Sequence, residues 1–100
     1  MFQLLYLFPY RPLVTGEARL QARMFSPAFE DPGTGSAAGC AASFLVRYKL
    51  RPPNRPFRIL QGRIIHRPCQ ITAQASLSAG KVDNVRVGGH VVTVLTGRLA

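Results

Sequence analysis

Between Ser36 and Leu50 the chain reads SAAGCAASFLVRYKL, fifteen residues without a proline and mostly good or tolerable helix formers. The spacing predicts a helix over 36–50. Its first part has no polar side: Ala37, Ala38, Gly39, Cys40, Ala41 and Ala42 are followed by Phe44, Leu45 and Val46. A helix that is apolar all round has to be enclosed. Charge gathers only near its end, at Arg47, Lys49 and Arg51, beside the negative pole of the helix dipole. RPPNRP, from Arg51 to Pro56, stops the helix and reads as an exposed connector.

The other ordered segments read as strands. FQLLYLF, from Phe2 to Phe8, is a short run of large side chains closed by Pro9 and Pro12, which predicts a buried strand. ARLQARMF, from Ala18 to Phe25, alternates Leu20, Ala22 and Met24 with Arg19, Gln21 and Arg23, as a half-exposed strand does. After the connector, Phe57, Ile59 and Gln61 alternate with Arg58 and Leu60, and Gly62 reads as a turn or bulge. QITAQASLS (Gln70 to Ser78), KVDNVRV (Lys81 to Val87) and HVVTVLTG (His90 to Gly97) are three further strand candidates. Ala79-Gly80 and Gly88-Gly89 separate them, and such pairs suit hairpin turns.

The expectation is therefore an α+β half-domain: two strands, one fully buried central helix, then four strands, with an antiparallel-rich sheet curled as a barrel half around the helix. Residues 1–25 supply leading strands, 26–35 a loop, 36–50 the helix and 57–99 the strand meander. With 100 residues, 47% of them hydrophobic and 17% charged, the chain suits one small packed domain or a piece of a larger one, not a disordered segment.

Composition excludes several classes of function. Two cysteines make neither a disulfide framework nor, without a histidine cluster, a metal site; Cys40, among small apolar residues, reads as a buried free thiol. No run approaches the ~20 apolar residues of a membrane helix. The N-terminal MFQLLYLFPYRP lacks the basic start and the cleavage site of a signal peptide. A soluble cytoplasmic chain is expected.

The net charge of +9 raises nucleic acid as a partner, because clustered Lys and Arg release counterions from phosphates. The sign owes as much to scarce acids as to abundant arginines. Arg51, Arg55, Arg58, Arg63 and Arg67 are interleaved with prolines as in a solvated connector, although Phe57 between arginines could stack on a base. A basic nucleic-acid-binding β module stands as the alternative reading, and the disfavoured one. His66 and His90 read as surface residues.

Ahead of the helix lies EDPGTGSAAG, Glu30 to Gly39, which holds two of the chain's four acidic residues side by side. The backbone N–H groups from Thr34 to Ala38 fall where the helix begins, with the positive end of its dipole. A carboxylate or phosphate could be held there by amides alone, through Thr34, Gly35, Ser36 and Ala37. Asp31 beside such a site is a candidate acid/base or substrate-orienting group. Spacing alone favours a plainer arrangement, in which Thr34 or Ser36 caps the helix and Asp31-Pro32-Gly33 is an ordinary turn.

Three blocks carry a resemblance: RMFSP then EDPGTGSAAGCAASFL, next LQGRIIHRPCQI, and last VRVGGHVVTVLTGRL. In this order, from Arg23 to Leu99, they resemble the C-terminal half of the phenazine-biosynthesis PhzF-like isomerases, whose fold is that of diaminopimelate epimerase. The resemblance implies a cofactor-independent isomerase or epimerase that moves a proton between carbons of a small carboxylate substrate. It implies that Asp31 orients or protonates the substrate while Gly35 and Ser36 hold its carboxylate. It also implies that the family's general base, a glutamate, belongs to an N-terminal half that neither Glu17 nor Glu30 matches. A truncated member is expected, inactive or weakly active alone, and completed by a homodimer or a complementary N-terminal half. The chain departs from the family pattern in a shorter stretch between Ser26-Pro27 and Glu30-Asp31, in Gly33 where alanine or valine is usual, in His66 where glycine is usual, and in Cys69 where a small residue is usual.

Overall fold

The computed structural model describes residues 4–8 and 19–100. They form β1 (Leu5–Leu7), β2 (Arg19–Phe25), β3 (Glu30–Asp31), α1 (Gly35–Arg47), β4 (Phe57–Gln61), β5 (Cys69–Ser78) and β6 (Lys81–Gly88). The strands make one curled mixed sheet in the order β1-β2-β4-β5-β6, with the short β3 also on β2. All pairings are antiparallel except β2 with β4, where Leu20 lies beside Ile59 and Ala22 beside Gln61. Parallel neighbours need a long crossover, and α1 lies within the one that joins them.

The core forms where α1 meets this sheet. Ala38, Ala41, Ala42, Leu45 and Val46 of the helix pack with Phe57 and Ile59 of β4 and with Ile71, Ala73 and Ala75 of β5. The alanines bring the helix backbone close to the sheet, and Ile59 opposite Ile71 fills the centre of the β4–β5 pair. As the alternation predicts, Phe57, Ile59 and Gln61 point inward while Arg58 is exposed.

Several expectations need correction. The helix is not fully buried: its buried residues form one face, while Cys40 is exposed and Phe44 is half exposed. Cys40 is thus a surface thiol rather than a core one. The helix also ends at Arg47, three residues early, because Lys49 adopts a left-handed φ of 58°. The Lys49 N–H donates to the Val46 carbonyl (3.2 Å) and the Leu50 N–H to the Leu45 carbonyl (2.8 Å), a Schellman ending.

The expected last strand is not in the sheet. Residues 89–100 make no strand pairing and are exposed, with Val91 at 93% and Leu95 at 90%. The two turn signals differ in outcome. Ala79 and Gly80 have φ of 50° and 77°, both positive as a type I′ turn requires, and β5 reverses into β6 there. Neither Gly88 nor Gly89 has positive φ, so the chain does not turn back.

At the other edge, Leu5 and Leu7 of β1 are exposed, so this strand is not buried as expected; Phe2 and Ala18 lie outside the described residues. With β3 unforeseen and the last strand missing, three described strands precede the helix and three follow it.

Candidate functional site

The loop before α1 is built by folding β3 back on β2. Between them, the Ser26 Oγ accepts from the N–H groups of Ala28 (3.3 Å) and Phe29 (3.1 Å), and its hydroxyl donates to the Phe29 carbonyl. This tight turn sets Phe25 opposite Glu30 and Met24 opposite Asp31.

The two adjacent acids then part ways, as neighbours on a strand must. Glu30 accepts from Arg23 Nε at 2.6 Å, and its side chain is largely buried. Asp31 faces the loop: its Oδ2 accepts from the Thr34 hydroxyl at 2.6 Å, and its Oδ1 lies 3.5 Å from the Gly33 N–H. An Asp bonded two and three residues ahead fixes a turn in the manner of an Asx motif.

Thr34 occupies the N-cap position of α1, with φ −121° and ψ 92°, yet its side chain makes no capping bond. The first helical bond is from Ala38 N–H to the Thr34 carbonyl, at 3.0 Å. The N–H groups of Gly35, Ser36 and Ala37 therefore precede any intrahelical acceptor. Gly35 and Ser36 are exposed, and the first turn holds no acidic side chain. An anion arriving there meets amides and the helix dipole with no competing carboxylate on the helix itself.

All five residues singled out from the sequence thus lie along one loop and the first helical turn. Asp31 and Thr34 are joined by a hydrogen bond, while Gly35, Ser36 and Ala37 open the helix. Sequence reasoning missed Gln61 and Gly62. Gln61, 1% exposed at the end of β4, hydrogen-bonds to both Asp31 and Thr34. Gly62 has φ +80°, and a β-carbon on it would stand 2.2 Å from the Arg67 carbonyl oxygen and 2.8 Å from that of Pro32. The signal was present: Gln61 is a polar residue on the inward face of β4, followed directly by a glycine.

Behind Gln61 lies a mostly apolar cavity of about 190 Å³, whose lining includes Phe8, Ala22, Glu30, Leu60 and Ile64. None of the residues from Asp31 to Ala37 lines it. The cavity and the open helix end are separate features.

The arginine run is not wholly exposed: Arg55, Arg58, Arg63 and Arg67 are, and Arg51 is not. Arg51 is buried, its guanidinium lies 4.3 Å from the centre of the Phe57 ring, and desolvation lowers its pKa. Phe57 is buried too, so the stacking on a base envisaged from the sequence is closed to it. His66 and His90 are exposed, as expected.

An α+β chain with one helix and a half-barrel mixed sheet, whose acid-bearing loop leads into the helix, matches one family across most of its length. The family model described as phenazine biosynthesis-like protein (PhzC-PhzF) covers residues 7–97, and the chain belongs to that family. It is 41% identical over 81 residues to the trans-2,3-dihydro-3-hydroxyanthranilate isomerase of Pseudomonas aeruginosa, covering 78% of this chain and 29% of that protein. It is 42% identical over 84 residues to the protein of the same name from Pseudomonas fluorescens, covering 81% and 30%. An uncharacterized isomerase of Mesorhizobium japonicum is 33% identical over 93 residues, covering 89% and 31%. The chain spans less than a third of the length of these curated relatives.

Proposed function

We propose that this chain is the carboxylate-holding side of a cofactor-independent PhzF-like isomerase, and that its half-barrel is one half of a diaminopimelate epimerase-like fold. The observation that carries the reading is the uncapped first turn of α1 beside Asp31. The names of the relatives give it a substrate class, a ring compound bearing a carboxylate.

In this reading the substrate carboxylate accepts from the N–H groups of Gly35, Ser36 and Ala37 and from the Ser36 hydroxyl. Asp31, held by the Thr34 hydroxyl, orients the substrate or returns a proton to it. Isomerisation by proton transfer also needs a base that takes a proton from carbon. Glu30 is a poor candidate, since Arg23 holds it in an ion pair. The base is assigned to a complementary half or to a second copy, so the chain alone binds the substrate class but turns it over weakly or not at all.

The test is an amide-resolved NMR titration of the chain with anthranilate, repeated on Asp31→Ala. Saturable shifts at residues 34–38 that weaken in the variant are expected. If those amides stay still while an oligonucleotide shifts Arg55, Arg58, Arg63 and Arg67 in a salt-dependent way, the binding-module alternative takes its place.

A further inference from the structure

Gln61 makes three hydrogen bonds, all to the loop that carries Asp31. Its Nε2 donates to the Asp31 carbonyl at 2.8 Å and to the Thr34 Oγ1 at 2.9 Å, and its Oε1 accepts from the Thr34 N–H at 3.2 Å. The partners fix which way the amide faces. Turned over, it would set oxygen against the Asp31 carbonyl and N–H against the Thr34 N–H.

This arrangement decides where the Thr34 hydroxyl points. A threonine at the N-cap ordinarily accepts from the second or third N–H of its helix. Here Oγ1 already accepts from Gln61 and spends its one proton on Asp31 Oδ2 at 2.6 Å. The hydroxyl is held toward Asp31, and the helix is left without its usual cap. The same side chain anchors the Asp31 backbone. One buried amide from a distant strand therefore sets both the carboxylate and the open helix end.

We infer that Gln61 is a positioning residue of the candidate site: it keeps the first turn of α1 uncapped by fixing the Thr34 hydroxyl on Asp31. The consequence for ligands rests on the proposed function, but the consequence for the backbone does not. Released from Gln61, the Thr34 hydroxyl is free to turn and cap its own helix, competing with any anion.

The experiment measures amide exchange with water at Ser36 and Ala37, together with benzoate affinity, in wild type, Gln61→Leu, Thr34→Val and the double variant. In Gln61→Leu, exchange at one of the two amides is expected to slow several-fold and benzoate affinity to fall about tenfold, the scale of one charge-assisted bond. Adding Thr34→Val removes the capping hydroxyl, so exchange and affinity are expected to recover. A role in stability alone would predict further loss instead. Thr34→Val by itself is expected to leave exchange at Ser36 and Ala37 unchanged, and Gln61→Met, of nearly the same length and likewise unable to donate to Thr34, takes the place of Gln61→Leu should the latter not fold. Faster exchange in Thr34→Val, or unchanged exchange in folded Gln61→Leu, overturns the inference. Failure of wild type to bind benzoate would sink the carboxylate reading while leaving the exchange result to stand.

Discussion

The sulfur of Cys69 lies 2.8 Å from where a β-carbon on residue 33 would stand, so Gly33 and Cys69 share one space between the loop and the start of β5. The geometry makes them one exchange of volume. Gly33→Ala alone is expected to cost about 1 kcal/mol by overpacking, and Cys69→Ala about 1 kcal/mol by leaving a gap. Together they should cost less than their sum, with a coupling of about 1 kcal/mol. Urea denaturation of the four proteins measures this, and additive penalties would refute the shared space.

Gly62 is expected to be intolerant of any side chain. Its φ of +80° strains an L-residue, and the atoms a β-carbon would strike are backbone oxygens of Arg67 and Pro32, which no side-chain rotation can move away. Gly62→Ala should therefore destabilise the fold by about 2 kcal/mol or more. It should also shift the amide resonances of Gly33 and Thr34, since Pro32 must give way. A small stability change with those resonances unmoved would mean that the turn relaxes without the loop.

These two glycines show what the sequence could and could not tell. Binary alternation made β2, β4 and β5 legible, because burial of Ala22, Ile59 and Ala73 repeats every second residue. The proline-free run made α1 legible, but not that only one of its faces is covered. That depends on the tertiary packing around the helix, and the missing last strand was equally hidden, because the Gly88-Gly89 pair reads as a turn yet has no positive φ. The order of the loop residues was readable from EDPGTGS, whereas the grip of Gln61 was not. It joins residues 27 and 30 positions apart, and no local pattern announces such a bond.

Tyr6 gives a dependence on alkaline pH. Burial pushes its phenol up to about 12, and among the described residues its buried hydroxyl has no partner. The unfolded phenol ionises near 10, so the unfolded chain releases this proton first. The stabilising contribution is complete below pH 10 and is lost as pH rises from 10 toward 12. Tyr6→Phe should cost little at pH 7, where it removes only an unpaired hydroxyl. Its urea midpoint should fall less steeply than that of wild type between pH 10 and 11.5, and parallel falls would exclude Tyr6 as the cause.

The segment after β6 predicts how the chain behaves in solution. Val92 and Val94 are 85% and 92% exposed, and Val91 and Leu95, which alternate with them, are exposed as well, so neither side of an extended strand here is polar. Such a segment needs cover on both faces, and it leaves a sheet whose β6 is paired on one side only among the described residues. Exposed apolar surface of this kind drives association. The net charge of +9 opposes it, and salt screens that repulsion. Sedimentation velocity at tens of micromolar should therefore show association that grows with added salt, whereas repulsion-free polar contacts would weaken. Val92→Lys with Val94→Lys should return the chain to a monomer while leaving the helix and sheet signals in circular dichroism unchanged. Wild type that stays monomeric at high salt would mean that the apolar segment finds cover within its own chain.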